Sequence, residues 1–179
     1  MTFMNRKQGC SINVLLVCDV DLLIIYLLVK FPGSCHDSFI LNNSALCEKF
    51  SNPPPNGWLH GNPGYPLRSW LMTPLSSVQT IQEERYQKMH KKCRNTIERC
   101  NGLLKSRFRC LLRKLEFTPE KSCKIIRACI VLHNIAIKTK QTTEAIDLTV
   151  LNSENDQDES FPFNDANANN IRNALIENL

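Results

Sequence analysis

Two apolar segments lie back to back near the start of the chain, and no other feature restricts its fold as much. Val14 to Val29 is the strongest apolar run, broken by Asp19 and Asp21. With two acids inside it, the run is too short and too charged for a bilayer, which takes about 20 apolar residues. Arg6 and Lys7 precede it as in a signal peptide, but the two aspartates argue against that reading. A pair of strands fits better. Ser11 to Val17 alternates and is rich in Ile, Val and Leu. Leu23 to Lys30 is continuous and apolar, which predicts a strand buried on both faces. Cys18 to Leu22 between them predicts a hairpin turn, with Asp19 and Asp21 as its polar residues.

Phe31-Pro-Gly-Ser34 should end the second strand. Helical spacing then runs from Asp37 to Phe50, with Phe39, Ile40, Leu46, Cys47 and Phe50 near one face. Ser51 to Gly57 is a loop by composition. Trp58 to Gly61 predicts a short strand ending in the turn residues Gly61-Asn62-Pro63-Gly64, and Pro63, Pro66 and Pro74 keep the next segment irregular. A long helix is expected from Ile81 to Leu115, a stretch without proline and with Gly102 alone. Thr118 fits an N-cap and Pro119 a first helical position. Lys121 to Ile137 should be a core helix, with Cys123, Ile126, Ile130, Leu132 and His133 inward. Asn152 to Asn170 is polar and reads as disordered, and Ile171 to Leu179 as a short helix. The succession predicts an α/β architecture, a small sheet with packed helices. At 179 residues the chain is long enough for one domain with a real core.

Charge is unevenly placed. Eleven basic residues fall between Arg85 and Lys114, with Glu98 as the only acid among them. From Glu144 onward there are eight acids against one base, Arg172. A basic middle before an acidic tail suggests a polyanion partner for the middle. Lys88, Lys91, Lys92, Arg94, Arg99, Lys105, Arg107 and Arg109 are the candidate nucleic-acid contacts, with Phe108, Leu111 and Leu112 anchoring the same segment to the core. The nine cysteines include no C-x-x-C pair, and many sit in apolar runs. Reduced, buried thiols suit that pattern better than a disulfide framework.

Phosphodiester chemistry with metals needs converging carboxylates that hold attacking and leaving oxygens in line. Glu98 reads locally either as a surface acid beside Arg94 or as a metal ligand facing the sheet. Asp37 reads as a helix-start carboxylate near free amides. His90 with Cys93, and Cys129 with His133, lie at helical spacing within apolar patterns, so core packing explains them better than zinc. There is no glycine-rich phosphate loop, and no Ser-His-Asp or Cys-His pairing can be argued from spacing.

Five blocks in order carry a resemblance: NRKQGCSINVLLVCD (5–19), FPGSCHDSFIL (31–41), WLHGNPGYPLRSWLMTPL (58–75), YQKMHKKCRNTIERCNGLLKSRFRCL (86–111) and IIRACIVLHNI (125–135). Together they resemble the endonuclease domain of PIF/Harbinger transposases and the nucleases derived from them. The resemblance implies an RNase H-like DDE nuclease fold over residues 5–138, with 139–179 as an acidic, largely disordered tail. It implies a divalent metal, Mg²⁺ or Mn²⁺, and catalytic roles for Asp37 and Glu98. The third metal position falls on Asn62, where the family motif carries aspartate. The family's first aspartate lies in a strand upstream of N-R-K; only four residues precede that block here, so the first strand is expected to be missing. The expected function is DNA phosphodiester cleavage by descent, in degenerate form. The alternative is a non-catalytic DNA- or protein-binding remnant. The resemblance further implies DNA as partner, a separate Myb-like DNA-binding protein, no membrane, and the nucleus as location with the cytoplasm second.

Overall fold

The computed structural model describes Phe3 and residues 11–51, 56–141 and 166–179. In chain order the elements are β1 (Ile12–Cys18), β2 (Ile24–Pro32), α1 (Asp37–Asn42), α2 (Ala45–Ser51), β3 (Leu59–His60), β4 (Leu71–Met72), α3 (Ile81–Arg107), a 3₁₀ turn (Arg109–Leu112), α4 (Pro119–Lys138) and α5 (Ala166–Glu177). They form two compact units, one from Met1–Cys35 and Thr96–Asn155, the other from His36–Asn95 and Asp156–Leu179. The small sheet of the expected α/β architecture is two separate pairs, β1 with β2 and β3 with β4.

In the first unit β1 and β2 pair antiparallel, with Val14 opposite Val29 and Leu16 opposite Leu27. Asp19 builds the turn. Its carboxylate accepts from the backbone N–H of Asp21 at 3.0 Å and of Leu23 at 2.9 Å. That double acceptance holds Leu22 at φ 65°, a conformation an apolar residue rarely takes alone. Gly33 follows β2 and donates to the Ser11 carbonyl at 2.8 Å. A Cβ there would lie 1.8 Å from Ser11 Oγ, so this close approach requires glycine.

Ile24, Cys100, Leu104, Cys129 and Ile130 form the core of this unit, with Leu16, Leu27, Ile97, Phe108 and Leu111 packed against it. Polar side chains of α4 reach the backbone of β2 and its turn. Asn134 takes both groups of Ile24, accepting from its N–H at 2.9 Å and donating to its carbonyl at 2.8 Å. Arg127 donates to the Val29 carbonyl at 3.1 Å. His133 Nε2 donates to the Leu22 carbonyl at 3.0 Å, which leaves Nδ1 to accept from Arg107 at 3.2 Å. Thr118 caps α4 by accepting from Lys121 N–H, with Pro119 first in the helix, as expected.

Several expectations for this unit change. β2 is not buried on both faces: Ile25 is 60% exposed while Ile24 and Val29 are buried, because α4 covers it on one side. β2 also continues to Pro32, which pairs with Ile12. The long helix stops at Arg107; Phe108 leaves helical geometry at φ −115°, ψ 80° and turns into the core with Leu111. Leu112 and Leu132, expected inward, are exposed.

In the second unit the helix expected over Asp37–Phe50 is two helices. Ser44 breaks it: its hydroxyl donates to the Leu41 carbonyl at 2.6 Å and accepts from Cys47 N–H at 3.2 Å, closing one helix and opening the next. Phe39 is consequently exposed, while Ile40, Leu41 and Leu46 are buried. β3 and β4 pair parallel, Leu59 with Leu71 and His60 with Met72. Trp70 is buried, its ring against that of Phe50. Tyr86 is fully buried, and its hydroxyl donates to the Thr73 carbonyl at 3.0 Å. Burial pushes the Tyr86 phenol up to about 12. The helix expected from Ile171 begins earlier, at Ala166, and buries Ala168 and Ile176, so residues 166–170 are ordered rather than disordered.

The eight described cysteines are free. Cys93 and Cys110 are exposed, so the expectation of buried thiols fails for these two. Among the described residues no helix is long and apolar enough to cross a membrane. Residues 5–10 of the N-R-K block, residues 52–55 of the loop and the tail over 142–165, with the disorder expected there, lie outside the described residues.

Candidate functional site

Two of the three expected metal positions meet in the second unit. Pro32-Gly-Ser-Cys-His36 leads into α1, and Asp37 is its first residue. Asn62 follows β3, in a segment fixed at both ends. Gly61 N–H donates to the Met72 carbonyl at 2.9 Å, and Tyr65 N–H to the Asn62 carbonyl at 3.2 Å. Gly61 is buried, and a Cβ there would press on Tyr65 at 3.0 Å and Leu71 at 3.2 Å. The turn thereby aims a half-buried side chain at Asp37, 25 residues earlier: Asn62 Nδ2 donates to Asp37 Oδ2 at 3.2 Å.

Which way the amide points is fixed chemically. Asn62 Oδ1 accepts from Gly64 N–H at 3.0 Å. A backbone N–H can only donate, so the oxygen must face Gly64 and the NH₂ must face Asp37. Asn62 therefore presents donor hydrogens to the carboxylate. With aspartate at this position the same turn would set a second carboxylate about as close to Asp37, and two such anions need a proton or a cation between them. The amide satisfies Asp37 without either.

That observation decides how a divalent ion fits. Mg²⁺ and Mn²⁺ take anionic or carbonyl oxygens. Here the pair offers one carboxylate and an amide whose oxygen is engaged elsewhere, so the donors as arranged do not fit such an ion. Within neither unit do three or more His, Cys, Asp or Glu side chains gather into a metal cage, among the described residues. Glu98 belongs to the first unit and is exposed on α3, whereas its neighbours Ile97 and Cys100 turn into the core.

Below the turn, His60 and His90 pack edge to face with centroids 5.2 Å apart, and His90 Nε2 donates to the Met72 carbonyl at 3.2 Å. Burial, and then the His90 charge, hold the His60 imidazole below its ordinary range; burial does the same to His90. Of the two expected histidine–cysteine pairs, His90 and both Cys129 and His133 are core residues, while Cys93 is exposed. Sequence reasoning misses His60, because nothing local distinguishes it from other turn-flanking residues.

The basic candidates divide by exposure. Lys88, Lys92 and Arg99 lie on α3 at i, i+4 and i+11, all exposed, with exposed Asn95 completing the stripe at i+7. Lys91, Lys105 and Arg109 are exposed too, and Arg94 is half-buried. Lys88 pairs with Glu84 at 2.8 Å, an exposed ion pair of small energetic weight. Arg107 is committed inward, to His133 and to the Gln141 carbonyl at 3.3 Å.

Residues 1–134 match the family model described as DDE superfamily endonuclease. The chain is 40% identical over 141 residues to a mouse protein named "Putative nuclease HARBI1", covering 76% of this chain and 40% of that protein. A rat protein of the same name is 35% identical over 182 residues, covering 98% of this chain and 52% of its own length. "Protein ALP1-like" of Arabidopsis thaliana is 25% identical over 197 residues, covering 99% of this chain and 48% of the relative. The chain thus spans about half the length, or less, of these relatives. No solved structure matches it. DDE superfamily endonucleases generally use divalent metals. The chain belongs to the DDE superfamily endonucleases, alongside the Harbinger-derived nucleases that are its relatives.

Proposed function

We propose that this is a Harbinger-type nuclease domain whose ancestral activity is divalent-metal-dependent cleavage of DNA phosphodiesters, and that the metal site has degenerated. One observation carries this reading: Asn62 gives its NH₂, not an oxygen, to Asp37. Of the family's metal-site carboxylates, Asp37 remains in the second unit and Glu98 in the first. An antiparallel strand pair, a parallel pair and a long helix, in that chain order, support the finer assignment of an RNase H-like fold.

DNA binding is the activity best retained in this proposal. Lys88 and Arg99 stand eleven positions apart on α3, about 16.5 Å at 1.5 Å per residue, so the stripe is long enough to meet more than one phosphate. A separate Myb-like DNA-binding partner and a nuclear location belong to the same proposal and rest on the resemblance alone.

Plasmid nicking in Mg²⁺ or Mn²⁺, alongside DNA binding over a salt series, tests it. The wild type should bind DNA with a steep salt dependence and nick no faster than Glu98→Gln. Nicking by the wild type that disappears in Glu98→Gln would refute degeneration. Absence of salt-dependent binding would refute the retained DNA interface.

A further inference from the structure

We infer that Cys110 and Cys129 form a redox-modification site, in which a hydroperoxide converts two neighbouring thiols into one disulfide. Their sulfur atoms lie 4.0 Å apart within the first unit, Cys110 in the 3₁₀ turn after α3 and Cys129 on α4. A disulfide needs a separation of about 2.05 Å, so side-chain rotation has about 2 Å to close. The two thiols differ in the way such a pair requires. Cys110 is exposed and meets an oxidant from solvent, while Cys129 is buried in the core. Burial and the neighbouring Cys110 hold the Cys129 thiol above its ordinary range, so exposed Cys110 is the sulfur that reacts first with the oxidant.

The chemistry balances with the hydroperoxide as oxidant. The Cys110 thiol gives up its proton, its thiolate attacks the terminal peroxide oxygen, the O–O bond breaks, and sulfenic acid forms; the leaving oxygen takes up that proton and departs as the alcohol, or as water from hydrogen peroxide. Cys129 sulfur then attacks the sulfenic sulfur, the S–O bond breaks, and the hydroxyl leaves as water with the Cys129 proton. Two electrons pass from the thiol pair to the peroxide. The product ties the 3₁₀ turn to the middle of α4.

Another thiol contact joins Cys18 and Cys100, but Cys100 is fully buried and Cys18 half-buried, so neither sulfur meets solvent as Cys110 does. Cys93 is exposed as well, and it makes the useful competitor in a test.

The test treats the reduced full chain with hydrogen peroxide, blocks remaining thiols and maps tryptic peptides without reduction. Arg109, Arg113, Arg127 and Lys138 place the two cysteines on separate peptides, 110–113 and 128–138. The expected product is the crosslink between these two. Cys110→Ser, a change at an exposed site, should keep the wild-type circular dichroism and lose the crosslink. Cys129→Ser should leave a sulfenic acid on Cys110 that dimedone captures. Cys110 remaining reduced, Cys110 paired with any other cysteine, or a persistent Cys110 sulfenic acid in the wild type would each overturn the inference.

Discussion

Replacing Asn134 by alanine removes the clamp that holds the start of β2 to α4. The amide makes two bonds of 2.9 and 2.8 Å to the backbone of Ile24, a residue only 6% exposed. Each such bond contributes about 1 kcal/mol net, and a buried backbone group left without a partner costs about 1–3 kcal/mol. With two groups orphaned, Asn134→Ala should destabilise the chain by about 2–6 kcal/mol. Asn134→Leu keeps the volume and loses the same bonds, so it separates packing from hydrogen bonding and should cost nearly as much. Urea denaturation followed by circular dichroism measures the loss, and amide hydrogen exchange at Ile24 locates it. The clamp is refuted if both variants stay within about 0.5 kcal/mol of wild type, the ordinary range for a surface substitution, or if Ile24 keeps its protection.

Other outcomes rest on the same geometry. Gly33→Ala drives a Cβ into Ser11, so it should cost about 1–3 kcal/mol in the same denaturation experiment and be relieved by adding Ser11→Gly. His60, His90 and His133 all titrate below the ordinary histidine value of 6.5 when folded, chiefly through burial. Above 6.5 the histidines are neutral in both states; as pH falls below it the unfolded chain takes up protons first, so Tm should drop on acidification. Tyr86 acts at the other end: its folded pKa of about 12 against 10 unfolded should lower stability as pH rises from 10 to 12. Replacing Lys88, Lys92 and Arg99 together by glutamine should weaken DNA binding for all sequences and reduce the salt slope by about 3, read from binding curves over a salt series.

Local chemistry is the part of the fold legible in the sequence. The hairpin with Asp19 at its turn and the Thr118-Pro119 helix start depend on neighbours in the chain, and both stand as expected. The sequence misleads where a partner far along the chain decides. β2 has the composition of a strand covered twice, yet helical cover lies on one side and Ile25 is exposed. No proline or glycine marks Phe108, yet core packing of Phe108 and Leu111 ends α3 there. Asn134 is a polar residue in a helix until its position opposite Ile24 is known, 110 residues earlier. For the site, the motif blocks located Asp37 and Asn62 and implied that they belong together, while the sense of their contact required coordinates. The fixed Gly64 N–H turns the amide's donor side toward the acid.

Manganese binding by the wild type and by Asn62→Asp, measured by calorimetry or by the loss of free-ion paramagnetic signal, tests the central claim most directly. A degenerate site predicts weak or undetectable binding by the wild type, a clear gain in Asn62→Asp, and loss of that gain when Asp37→Asn is added. Wild-type binding as tight as that of Asn62→Asp would show that the amide does turn its oxygen to a metal, and would contradict the degenerate site.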